Sequence, residues 1–206
     1  MSRYRGPKCK ICRRSREKLY LKGDKCYTAK CEIEKRNYPP GMRSIRPLKV
    51  SEYGRRLREK QKLRFFYGVS ESQIRSYFNK ASRQKGITGH NLLSLFELRL
   101  DNLVYRMSFA RSRQEARQRV KHGGVSVNGT RVNVPSFLVR VGDEVSFPGI
   151  AEDKLKVCLE ALKEKGSPSW ITFNEKPLLL KIEHLPKRGE INVPVEEQLI
   201  VEYYSK

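Results

Sequence analysis

The sequence predicts an α+β fold in three parts: an N-terminal arm stapled through cysteines, a small helical domain, and a module of two helices packed on a small, mostly antiparallel sheet. Three observations predict it. Four of the five cysteines fall between residues 9 and 31, in a stretch otherwise dominated by charge. From Ser51 to Lys121 apolar residues recur at helical spacing behind serine caps. From Val125 onward they alternate around Asn-Gly and Gly-Asp turns, as strands do. The arm is expected at 1–44, the helical domain at 45–92 with 186–206 completing it, and the module at 93–185 with its core at 97–160.

Charge narrows the partner. Lys+Arg 44 against Asp+Glu 22 leaves a formal net charge of +22, which repels itself unless a polyanion neutralises it, and nucleic acid is the obvious one. The excess is graded, at +12 over residues 1–50, +7 over 51–100, +4 over 101–150 and −1 over 151–206. The polyanion is expected against the first three quarters, and the last quarter against water or protein. A 38% hydrophobic fraction still allows a core. No apolar run approaches the roughly 18 residues of a membrane span, and the basic start MSRYRGPKCK lacks the apolar core of a signal peptide. A cytoplasmic protein with no membrane contact and no small-molecule substrate is expected.

The arm holds Cys9, Cys12, Cys26 and Cys31 in the pattern C-x2-C-x13-C-x4-C, close to the spacing of small structural zinc sites. Two residues between thiols let a tight turn aim both sulfurs at one ion, and Lys22-Gly23-Asp24 supplies a turn that returns the second pair. The surrounding lysines and arginines are expected to lower the thiol pKa values and favour the thiolate. A segment with so little to bury gains its missing folding free energy from the ion. Zinc is the expected cofactor; an iron–sulfur cluster takes the same four thiolates, and the spacing does not separate the two. Four unrelated thiols fit the pairing less well, and disulfides fit a reducing compartment less well.

Tyr38-Pro39-Pro40-Gly41 breaks any helix, and a basic linker runs on to Ser51. Ser51 caps a helix expected to reach Tyr67 and stop at Gly68, with Arg55, Arg56, Arg58, Lys60, Lys62 and Arg64 around its circumference. Ser70 and Gln73 form a capping box for a helix carrying Ile74, Tyr77, Phe78 and Ala81 towards Gly86. Leu93, Phe96, Leu100, Leu103 and Met107 step by three and four, which predicts one further helix. Ser112 and Glu115 form a second capping box, Gly123 stops the helix, and Arg113, Arg117 and Lys121 form a basic stripe beside inward Ala116 and Val120.

Asn128-Gly129 then predicts a hairpin between Val127 and Val132 that brings Arg131 near the stripe. VRVGDEVSF predicts another strand pair around Gly142-Asp143. Residues 152–165 predict a helix ending at Gly166, with Cys158 beside Leu155, Leu159 and Leu162 as a core thiol. WITF, LLLKI and LIVEYY predict strands.

Residues 99–147 contain R-L-D-N-x-x-x-R, A-x-S-R-x-x-A-R and H-G-x-V-x-V-N-G in order. This stretch resembles the RNA-binding module named after the fourth small-subunit ribosomal protein. The cysteine arm, L-R-E-K-Q-K and the ending P-V-E-E-Q-L-I-V-E-Y-Y-S extend the resemblance over nearly the whole chain, to the bacterial-type family in its zinc-carrying form. Pro40-Gly41-Met42-Arg43-Ser44 departs from the P-G-Q-H-G of many relatives.

The resemblance implies binding to the 5′ domain of small-subunit ribosomal RNA, early subunit assembly and a role in translational accuracy. It also implies a place next to the fifth small-subunit ribosomal protein, where messenger RNA enters. Arg46 and Lys49 are expected on the messenger path. RNA contacts are assigned to Arg3, Arg5, Arg43, Arg46 and Lys49 in the arm and linker, and to the six cations from Arg55 to Arg64. In the module they are assigned to Arg111, Arg113, Arg117, Lys121, His122, Asn128 and Arg131.

Two rival readings share some of these features. Arg99-Leu100-Asp101 resembles the R-L-D of pseudouridine synthases, whose aspartate is a nucleophile, but here it falls in the binding module, where Asp101 is expected to cap or to pair with an arginine. The scattered His90, His122 and His184 make no catalytic set. A zinc-containing DNA-binding regulator shares the cysteine spacing, but would concentrate its charge on one recognition helix. No enzyme is expected.

Overall fold

The computed structural model describes residues 4–41, 49–150, 152–174 and 178–205. The chain divides into two compact units, one of residues 1–92 with 193–206 and one of residues 93–192.

In the first unit the arm forms α1 (Lys8–Ser15), a 3-10 turn (Gly23–Cys26) and α2 (Glu32–Lys35). The main helices are α3 (Glu52–Tyr67) and α4 (Glu71–Ser82), followed by α5 (Thr88–Glu97), which reaches into the second unit's residues. The caps act as the sequence implies. Ser51 Oγ accepts the Gly54 N–H at 3.2 Å, and Gly68 ends α3 at φ +65°. Ser70 and Gln73 make both halves of their capping box. α4 stops at Ser82 rather than running to Gly86, and Asn91 Nδ2 donates to the carbonyl of Ala81 in its last turn and to those of Gln84 and Lys85 beyond its end.

LIVEYY is not a strand. It lies within α9 (Glu197–Tyr204), which packs on α3 with Ile200 fully buried. Helical spacing brings Tyr204 against Phe78 at 5.0 Å and Tyr203 against Tyr53 at 5.9 Å. These contacts override the strand preference of a short β-branched and aromatic run. Beneath them Lys60, 4% exposed, donates to Glu71 Oε2 at 2.9 Å, and Tyr204 OH donates to Glu71 Oε1 at 2.7 Å.

Burial pushes the Glu71 carboxyl up, but the Tyr204 hydroxyl and Lys60 ammonium outweigh it and leave its pKa below the ordinary value. The stabilisation is therefore complete above the ordinary carboxylate range and lost as pH falls through the lowered value. Thermal melts should weaken over that acid range. Glu71→Gln should weaken less, and equal losses would remove Glu71 from the account.

In the second unit the single helix expected over 93–107 is broken. α5 ends at Glu97 and α6 (Leu100–Arg106) begins after Arg99, whose backbone is extended at φ −69°, ψ 137°. The break trades helical hydrogen bonds for sheet-like ones. Leu100 N–H donates to Phe137 O at 2.9 Å, Val139 N–H donates to Leu98 O at 3.0 Å, and Arg99 bridges Leu138. The apolar spacing still holds, since Leu93, Phe96, Leu100, Leu103 and Met107 are all fully buried.

α7 (Arg113–Lys121) packs on α6. β1 (Ser126–Val127) and β2 (Thr130–Arg131) form the expected hairpin, with Asn128 and Gly129 at φ +49° and +76°. The strand pair around Gly142-Asp143 does not form. Only β3 (Glu144–Ser146) is a strand, and it pairs with β1 and β5 (Leu179–Ile182), because the Val139 N–H is spent on Leu98 and the Gly142 N–H on Ile182.

With β4 (Ile171–Asn174) the sheet is antiparallel throughout, in the order β2-β1-β3-β5-β4. α8 (Glu152–Lys165) stops at Gly166, and Cys158 joins Leu162, Trp170 and Phe109 in the buried core.

Candidate nucleic-acid interface

The R-L-D-N run fixes α7 on α6 through a buried ionic cluster. Arg99, fully buried, forks onto Asp101, with Nε at 2.9 Å from Oδ1 and Nη2 at 2.6 Å from Oδ2. Arg117 adds Nη1 at 3.3 Å from the same Oδ2. Asp101 is thus paired with two arginines, which is a bracing role and not that of a nucleophile.

Next to it Arg113 Nε donates to Asn102 Oδ1 at 2.9 Å, and its guanidinium lies 4.3 Å above the Tyr105 ring. Asn102 Nδ2 donates to Glu97 Oε2 at 2.8 Å, and Arg106 forks onto Glu97 at 2.8 and 2.7 Å. The sequence reading assigned no role to Glu97, Asn102 or Arg106; the nearest signal was the presence of Asn102 and Arg106 in R-L-D-N-x-x-x-R.

The basic stripe is therefore divided. Arg113 and Arg117 are half-buried and braced from below, while Lys121 is exposed at the end of the helix. Ser112 Oγ accepts the Glu115 N–H at 3.3 Å, but the Glu115 carboxylate reaches past the cap to the Arg111 N–H at 2.9 Å, so the second capping box is only half made. Lys121→Ala is expected to lower the slope of log RNA affinity against log salt by about 0.7–0.9 with melting unchanged. Arg117→Ala should lower both slope and stability, since it also takes a partner from Asp101. If neither changes the slope, the stripe braces the module and does not meet phosphate.

The hairpin clasps the end of the same helix. Arg131 Nε donates to Gly123 O at 2.6 Å and Nη2 to His122 O at 2.8 Å, where a cation meets the negative end of the helix. Asn128 is held by Asp143, with Nδ2 to Oδ1 at 2.9 Å, and accepts the Glu144 N–H at 2.9 Å. A Cβ on Gly123 would lie 2.0 Å from Arg131 Nε, and the Gly123 φ of +70° disfavours a side chain in any case. Gly123→Ala is expected to displace this guanidinium and cost about 1–2 kcal/mol. An unchanged denaturation midpoint would mean the clasp contributes nothing.

The charge run on α3 sorts differently. Arg56 pairs with Glu202 at 2.7 Å, Lys60 with Glu71, and Lys62 with Glu17 at 3.0 Å and Glu59 at 2.8 Å. Arg64 approaches Gln61 and the Phe65 ring. Arg55, which meets Glu52 at 3.3 Å, and Arg58 are the exposed cations of the helix. Arg5, Lys49, Arg111 and His122 are also exposed, whereas Arg3, Arg43 and Arg46 lie outside the described residues.

The arm gathers its thiols. Cys9 and Cys12 stand one turn apart on α1, not on the expected tight turn, and Cys12, Cys26 and Cys31 are buried. Burial pushes the Cys12 and Cys26 thiols up, and the neighbouring thiols push the same way. This corrects the expectation that basic neighbours lower them, since lost hydration outweighs the pull of Lys22 on Cys26.

Among the described residues no three potential ligands stand at metal-holding geometry. The donor chemistry nevertheless fits an ion bound by sulfur. Four thiols bear on one another electrostatically, the Leu19 backbone hydrogen-bonds Cys12, and the Lys22 N–H meets Cys26 Sγ at 3.4 Å.

A helix pair braced from beneath by buried carboxylates, with a hairpin clasped to its basic end, defines an RNA-binding module. Residues 98–145 match the S4 domain, and residues 3–97 match the ribosomal protein S4/S9 N-terminal domain. Over the full length of both chains the protein is 49% identical to the small ribosomal subunit protein uS4 of Thermodesulfovibrio yellowstonii and 50% to that of Pelotomaculum thermopropionicum. Identity to the uS4 of Desulforamulus reducens is 51% over the same span. The chain belongs to the small ribosomal subunit protein uS4 family, whose members are structural proteins and not enzymes.

Proposed function

We propose that the protein is a structural constituent of the small ribosomal subunit, in the cytoplasm, and a primary binder of the 5′ domain of small-subunit ribosomal RNA that nucleates assembly. The observation that carries this reading is the braced face of α7, where Arg113, Arg117 and Lys121 stand in a row beside Arg131. Cations held rigidly suit the fixed phosphate geometry of folded RNA, which is recognised mostly by shape and backbone. On α3 the contact falls to Arg55 and Arg58.

The arm's four thiols hold one zinc ion, which supplies the folding free energy that its few apolar residues lack. Lys49, with Arg46, lies by the path on which messenger RNA enters, and this placement underlies a role in accuracy. The segment from Glu152 onward, with its net charge of −1 over 151–206, makes little RNA contact and faces the fifth small-subunit ribosomal protein. Exposed Glu196 is available to a basic neighbour, whereas Glu190, Glu197 and Glu202 already meet Ser169, His90 and Arg56.

The test is competition binding at one salt concentration. The 5′-domain transcript should be preferred to duplex DNA of equal length, and equal affinity would overturn the reading.

A further inference from the structure

The first unit carries a second set of cations, which the charge run on α3 conceals. Arg75 and Lys80 on α4 and Arg83 at its C-cap are exposed, and among the described residues their side chains have no hydrogen-bond or ion-pair partner. They line one shallow groove with Ser72, Ser76 and Asn79. Helical spacing sets these residues in two adjacent rows, Ser72-Ser76-Lys80 and Arg75-Asn79-Arg83, each stepping by about 6 Å per four residues. Glu71 closes one end of the groove, but its two oxygens are taken by Lys60 at 2.9 Å and Tyr204 at 2.7 Å.

From this we infer that the outer face of α4 is a further RNA-backbone site, separate from the stripe on α7 and from Arg55 and Arg58 on α3, which binds phosphate and ribose of a structured strand. The inference rests on the proposed binding of small-subunit ribosomal RNA and adds a surface to it. The residue types decide between RNA and an acidic protein. Phosphate and sugar contacts are made by arginine and lysine together with serine and asparagine, and those are the groups in the groove. Protein interfaces centre on buried aromatic or aliphatic anchors, and these six positions offer none. α3 contrasts with it: most of its cations are turned onto carboxylates of the same unit, so the longer charge run leaves fewer groups for a partner.

The test combines Arg75→Gln, Lys80→Gln and Arg83→Gln in the full-length protein, titrated with the 5′-domain transcript over a salt series. The salt slope is expected to fall by about 2–3, near 0.7–0.9 for each phosphate contact removed. In parallel, acetylation of the wild-type protein with and without the transcript reads Lys80 directly. Its modification should fall at least several-fold on binding, while Lys163 and Lys187 stay reactive.

Wild-type protein that fails to bind the transcript overturns the proposed function itself. Normal binding with an unchanged slope and an unprotected Lys80 overturns the α4 site alone. Unaltered RNA binding with loss of incorporation into particles also overturns it, and assigns the groove to a protein neighbour. If the triple variant does not fold, the protection of Lys80 in the wild type decides.

Discussion

Asp101→Ala is expected to unfold the second unit or leave it barely stable. The substitution takes from Arg99, which is fully buried, the carboxylate that its guanidinium forks onto at 2.9 and 2.6 Å. Breaking a buried pair by removing one partner costs about 3–5 kcal/mol, because the remaining charge stays desolvated. For a unit of about a hundred residues this lowers the melting midpoint by more than about 10 °C.

Arg117 also loses its contact at 3.3 Å, so the basic stripe loosens and RNA affinity should fall with stability. Removing both charges separates the two effects. Arg99→Met with Asp101→Leu should recover much of the stability while the RNA salt slope stays reduced, since Arg117 still lacks its contact with Asp101. A cost below about 1 kcal/mol for Asp101→Ala would show that the pair is not what holds the helices.

Cys26→Ser should remove the ion and the fold of the arm together. About one zinc per full-length chain is expected before the change and near none after it, with amides of α1 and the Gly23–Cys26 turn losing protection from hydrogen exchange. The expected loss is large because structural zinc contributes on the order of 10 kcal/mol in small sites, while the arm's buried apolar set is little more than Ile11, Leu19 and Ile33. A divalent ion also relieves the mutual repulsion that burial imposes on neighbouring thiolates. Unchanged metal content and unchanged protection in Cys26→Ser would refute the assignment, and iron with labile sulfide in the wild type would replace zinc by a cluster.

Local signals carried much of the fold. Ser51, Ser70 and Gly68 act through bonds within four residues, and Asn128-Gly129 closes its hairpin without help from afar. The failures came where distant partners compete. The helix over 93–107 breaks at Arg99 because residues 137–139 offer that backbone other hydrogen bonds, and LIVEYY becomes helical because α3 needs cover.

The interface divides the same way. Spacing placed Arg113, Arg117 and Lys121 on one face, but not the carboxylate and amide groups beneath the two arginines. On α3, the ion-pair partners Glu17, Glu71 and Glu202 lie outside the helix, so counting charges within it could not show which cations remain outward.

The first unit is discontinuous, since residues 193–206 close what residues 1–92 begin, with Ile200 of α9 packed against α3. Synthesis runs from the N-terminus, and domains generally fold in the order in which they emerge. Here the order is inverted. The continuous segment 93–192 is complete while α3 still waits for its covering helix, so the middle of the chain can reach its native state first. Until residues 193–206 have been made, the face of α3 that will hold Ile200 stays open to water and to chaperones, and this later segment acts as the latch on the earlier one.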